Sequence, residues 1–124
     1  MQYEYLSSQQ LNLAVGHALG WKTNPNHPKE RGQVFHVNSK HKMRVADFNP
    51  CLNANDAMKI IKHHRISLIP IEDEFWLATG DAVTGEKIST KHGNPLRAAM
   101  ITFLELAKVD ADTIGNAGLP ASTT

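Results

Sequence analysis

Apolar residues recur at helical spacing in three stretches of the chain. Leu11, Ala14, Val15, Ala18 and Leu19 stand at i, i+3, i+4, i+7 and i+8, one stripe of a helix. Ser7 or Ser8 is placed to cap its start, and Gly20 to close it in a left-handed conformation. A second stripe, Ala57, Ile60 and Ile61 continued by His64, predicts a helix capped at Asn53 or Asn55 and ending near Arg65. The third is the strongest. Asn94 precedes Pro95, and Leu96, Ala99, Met100, Phe103, Leu104 and Ala107 form a wide apolar face, with Arg97, Thr102, Glu105 and Lys108 opposite.

Between the helices the pattern shortens and alternates. Residues 34–37 and 43–46 read as short strands joined by the polar turn 38–42. Residues 66–71 and 75–79 form a hairpin around Glu72-Asp73-Glu74. Pro70, which cannot donate to a ladder, puts its strand at a sheet edge. A turn at 83–87 leads to a short strand at 87–89. Residues 22–33, with two Pro, two Asn and a Gly, lack periodicity and read as an exposed loop. The expected fold is α+β: three helices packed on a small antiparallel sheet in one domain over residues 1–109. Residues 110–124, small and polar, are expected to be a disordered tail.

Composition narrows the classes. The chain has 124 residues, is 41% hydrophobic and 20% charged, and has a formal charge of +1, which excludes a strongly basic nucleic-acid binder and a disordered chain. No run reaches the roughly 20 apolar residues of a membrane span, and the start lacks a signal-peptide pattern. A lone Cys51 excludes an internal disulfide. The seven histidines stand out, since protonating them all would take the charge to +8. His36, His41, His63, His64 and His92 each lie within two residues of Lys or Arg, which favours an anion-attracting surface over metal ligation.

The ordered set Phe48-Asn49-Pro50, Asp56-Ala57 at a helix start, Ile66-Ser67, Trp76-x-Ala78 and Asn94-Pro95-Leu96-Arg97-Ala98-Ala99-Met100 resembles the NinX-like proteins of tailed phages and prophages. The likeness spans residues 8–108, and the Asn-Pro-Leu-Arg-Ala-Ala-Met run is its most specific part. Residues 23–42 follow no family pattern, and Met58 stands near where family members often carry another Trp. The resemblance implies a phage accessory protein of the host bacterial cytoplasm and no particular reaction.

Two groups of residues carry candidate binding chemistry. At the start of the last helix, backbone N–H groups and the helix dipole favour an anion. Lys91, His92, Asn94 and Arg97 surround that point, with Lys87, Ser89 and Thr90 as further donors. The bland alternative is an ordinary capped helix with solvated charges. The second group is a basic surface: His36, Lys40, His41, Lys42 and Arg44 in one hairpin, and Lys59, Lys62, His63 and Arg65 along the middle helix, where Lys59, Lys62 and His63 are expected to share a face pointing away from Ile60 and Ile61. Trp21 and Phe75 are the aromatics proposed to cover a base, although large aromatics mostly join small cores.

Catalytic and metal signals are weak. Asp47, Asp56, Asp81 and Cys51 form no recognised constellation, and the His and Cys spacings match no zinc pattern. The expectation is a non-enzymatic protein without a metal or cofactor, which binds and sequesters a small anionic, nucleotide-like ligand against host defence, and which can form a homo-oligomer. The alternatives are a module that blocks a host enzyme, using the 22–33 loop and the basic hairpin, and a nucleic-acid accessory factor.

Overall fold

The computed structural model describes residues 3–23, 34–38 and 40–118, with side chains described as far as Ala111. The chain opens on a 3₁₀ turn, Tyr3–Tyr5. Helix α1, Ser8–Ala18, follows. The Ser7 hydroxyl accepts the Gln10 N–H, and the Gln10 side chain accepts the Ser7 N–H in return, so two N–H groups at the helix start are satisfied. Leu19 ends the helix and Gly20 turns away at φ +93°. The buried stripe is rotated from the one the apolar residues mark: Asn12 and Gly16 join Leu11 and Val15 inside, and Ala18 is exposed.

A small antiparallel sheet comes next, in the order β1 (Lys22–Thr23), β2 (Val34–His36) and β3 (Lys42–Arg44). The expected loop therefore begins with a strand, because Lys22 and Thr23 pair with His36 and Phe35. The remainder of that expected loop, residues 24–33, lies outside the described residues. Val45 and Ala46, read as strand, instead enter the 3₁₀ turn Val45–Asp47. The chain then passes Pro50 into helix α2, Ala54–His64. Asn53 caps it through Asn55 N–H and Asp56 N–H, and Arg65 closes it at φ 57°.

The second sheet is a meander of β4 (Ser67–Glu72), β5 (Phe75–Asp81) and β6 (Lys87–His92). Pro70 sits in the edge strand β4, as its missing N–H requires. β6 is longer than expected and takes in Lys91 and His92. The fold is α+β with two three-stranded antiparallel sheets where the sequence pattern implied one.

Helix α3, Pro95–Gly118, organises the whole. It lies on β5 and β6 and also touches α1 and α2, so it is buried on more than one side. Ala98, Ile101 and Leu106 are buried beside the expected face. Thr102, expected opposite that face, is fully buried; its hydroxyl bonds the Ala78 carbonyl (3.3 Å) and the Thr90 hydroxyl (2.9 Å). The helix also runs through Asp110, where a frayed tail was expected. The Asp110 carboxylate accepts the Val83 N–H at 2.9 Å and anchors that turn. Under α1, Phe35, Phe48 and Trp21 pack edge to face, with centroids 4.8–5.9 Å apart.

Candidate functional site

At the start of α3 the backbone N–H groups, the Asn94 amide and the Arg97 guanidinium expected to meet an anion are engaged within the chain. Pro95 has no N–H, Asn94 Oδ1 accepts from Leu96 and Arg97 N–H, and Ala98 N–H reaches the Asn94 carbonyl. The Asn94 amide donates to the Cys51 carbonyl at 3.0 Å. His92 Nδ1 accepts the Asn94 N–H at 2.9 Å, a bond that needs a neutral ring. Burial and the nearby Arg97 guanidinium hold His92 below its usual range. Arg97 itself donates to the Glu4 and Leu6 carbonyls and lies 3.5 Å from Ser8 Oγ, clasping the chain entering α1. This constellation works as a structural joint.

Lys91 and Phe75 belong to the opposite sheet face, as strand alternation dictates. The Lys91 ammonium pairs with Glu72 at 2.8 Å and stands 4.8 Å above the Phe75 ring. Lys87 pairs with Asp81 at 3.2 Å. Neither Lys91 nor Phe75 meets Trp21.

Trp21 lines a cleft of about 440 Å³ between α2, the end of α1 and the β2–β3 hairpin. Its apolar walls are Leu19, Trp21, Val37, Met43, Phe48 and Ile60; its polar groups are Asp56, Lys59, His63 and His64. Along α2 the lining residues Asp56, Lys59, Ile60 and His63 follow i, i+3, i+4, i+7 spacing, so one helix face supplies a carboxylate, an ammonium, an apolar contact and an imidazole. The volume falls within the usual range for small-molecule sites, roughly 300–1,000 Å³, which combine apolar walls with a few polar groups. Trp21 is held at 4.8 Å from Phe48 and 5.3 Å from Phe35, giving the cleft a rigid aromatic wall.

The two basic segments flank this cleft. Lys59 and His63 are exposed on its α2 rim, and among the described residues no carboxylate lies within ion-pair distance of Lys59, Lys62 or His63. Lys62 on α2 and Arg65 at its C-cap are exposed and do not line the cleft. On the hairpin side Lys40, His41 and Lys42 are exposed and His36 is half-buried. His41 Nδ1 lies 3.0 Å from Asn38 Oδ1, and Arg44 is tied to Asp47 at 3.1 Å. His64 lies deeper, 4.7 Å from the Phe103 ring, and burial with the neighbouring His63 lowers its pKa, against a smaller opposing pull from Asp110.

The other chemical candidates are dispersed. Cys51 is fully buried, and burial pushes its thiol up to about 11, against the pull of Arg97. Asp47 and Asp81 are in exposed ion pairs. Asp56 Oδ2 accepts the Asn49 N–H at 3.0 Å, which leaves the carboxylate beside the cleft. Among the described residues no three His, Cys, Asp or Glu side chains gather as metal ligands. No helix there is long and apolar enough to cross a membrane.

Sequence reasoning singled out Trp21, Lys59 and His63. It missed the cleft walls Leu19, Val37, Met43 and Phe48, which come from three separate segments. The expected grouping of Lys59 and His63 with Lys62, away from Ile60, is corrected: Lys59 and His63 flank Ile60 on the cleft wall, where i, i+3, i+4, i+7 spacing from Asp56 joins them.

No curated protein matches the chain. The family model described as Bacteriophage P22, NinX matches residues 2–106, and the chain belongs to that phage protein family.

Proposed function

We propose that this phage accessory protein binds a small, flat, anionic molecule of nucleotide type in the α2–hairpin cleft and sequesters it from a host defence system. The observation that carries the reading is the juxtaposition of the rigid Trp21–Phe48 wall with the Lys59 and His63 rim. A nucleobase has an apolar face that stacks on such a wall, with roughly 1–3 kcal/mol per stacked base. Its phosphate carries the charge that Lys59 and His63 attract. Lys62 and the exposed hairpin cations add to the local field without touching the ligand.

Calorimetry with a panel of nucleoside mono- and diphosphates tests the proposal. Micromolar binding is expected, with Trp21→Ala weakening it by about tenfold or more, the loss of one stacked base. A Lys59→Ala/His63→Ala variant should bind more weakly and with a shallower salt dependence. Sequestration predicts that the nucleotide is recovered chemically unchanged after prolonged incubation. No binding by any member of the panel, or turnover of the bound nucleotide, overturns the reading.

A further inference from the structure

The cleft has a polarity that the binding of an anion leaves unused. On the face of α2 that lines it, Asp56 lies in the first turn and His63 in the last. Seven residues separate them, about 10 Å along the axis. Lys59 lies between, one turn beyond Asp56. A ligand that engaged only Lys59 and His63 would leave the Asp56 carboxylate, on the same wall of the cleft, without a partner in it.

That carboxylate is fixed in place and has capacity left over. Its Oδ2 accepts the Asn49 N–H at 3.0 Å, and Oδ1 takes no hydrogen bond from the described residues. No Lys, Arg or His among them lies within ion-pair distance of it. Asn49 is held in turn by Asn12, whose amide donates to Asn49 Oδ1 at 2.8 Å. Asn12 Oδ1 also accepts the Cys51 N–H. This partly buried network fixes Asp56 from behind, so its orientation costs nothing when a ligand arrives.

An ionised carboxylate is an acceptor only, so it selects for N–H donors and repels ring acceptors. We infer that the bound nucleotide carries a guanine base, whose adjacent ring N–H and amino group donate to Asp56 while its ring stacks on Trp21 and its phosphate meets Lys59 and His63. Adenine presents an amino donor beside a ring acceptor, which a carboxylate disfavours. The inference rests on the nucleotide reading above and adds the identity of the base. A site built to bond donors rejects a base lacking them far more strongly than apolar packing can.

The test compares GMP, IMP and AMP on the full chain, wild type and Asp56→Asn. Wild type is expected to bind GMP at least tenfold more tightly than AMP, with IMP, which lacks the amino group, in between. Asp56→Asn keeps an acceptor for Asn49 N–H and should reduce the GMP preference to less than about threefold, the loss expected for one charged hydrogen-bond partner. A rise in AMP affinity as GMP affinity falls, with an unchanged melting temperature, would locate the effect at base recognition, because an amide donates to the ring acceptor that a carboxylate repels. Equal binding of GMP and AMP by the wild type, or a GMP preference that survives Asp56→Asn, overturns the guanine assignment and leaves the nucleotide reading standing. Failure of all three nucleotides to bind overturns both.

Discussion

Gly16 shows how one residue ties the small sheet to α1. A Cβ placed there would run into the Phe35 ring. Phe35 is fully buried, and the rings of His17, Trp21 and Phe48 surround it at 5.3–6.0 Å, so it has no room to yield. In an exposed helix Gly→Ala would gain up to about 1 kcal/mol. Here overpacking costs roughly 1–3 kcal/mol. Gly16→Ala should therefore destabilise the protein in urea unfolding, and a variant as stable as wild type would contradict this packing. Because Phe35 also supports Trp21, the variant should bind nucleotide more weakly as well. Nothing in the sequence marks Gly16 for this role, since the contact forms across 19 positions of chain.

At the scale of elements, the start of α3 is where sequence and structure diverge most. Lys91, His92, Asn94 and Arg97 carry the residue types of an anion site, and Asn94 does cap the helix as its position predicts. The use of Arg97 was not legible, because the carbonyls it binds, of Glu4 and Leu6, lie about 90 positions away. Arg97→Ala should lower stability by about 2 kcal/mol, the scale of lost hydrogen bonds from a charged donor, with nucleotide affinity unchanged. Arg97→Lys should recover only part of it, since an ammonium lacks the fork that reaches two carbonyls. A large loss of binding at full stability would return the ligand to this helix. The α2 face also departs from its expected reading: spacing set Lys59 and His63 with Lys62, away from Ile60, whereas packing against the hairpin and the end of α1 sets Asp56, Lys59, Ile60 and His63 on one cleft wall and leaves Lys62 outside it.

Across the whole molecule, the histidines link stability to pH. His64 and His92 are both held below the ordinary imidazole range, chiefly by burial. A histidine with a depressed native pKa contributes stability above its unfolded value, about 6.5, and loses it as pH falls through the native value. Thermal unfolding should therefore show a falling melting temperature as pH drops from 7 to 5. Replacing both rings, as His64→Gln with His92→Asn, should flatten that slope. A slope unchanged in the double variant would assign the effect to other groups. The described histidines thus divide by tertiary position: His64 and His92 oppose protonation, whereas His41 and His63 are exposed.

The sequence by itself determined what local physics controls. The three helices, the Ser7, Asn53 and Asn94 caps, the Pro70 edge strand and the 66–79 hairpin all depend on residues within a turn or two of one another. The Asn-Pro-Leu-Arg-Ala-Ala-Met run likewise carried the family. Tertiary structure alone decided whatever needs separate segments to meet. It divided the strands into two sheets, buried Thr102 by surrounding α3, committed Arg97 to the opening segment, and formed the Trp21 cleft from three elements. Spacing along a helix fixes which residues share a face, but only packing fixes what that face confronts.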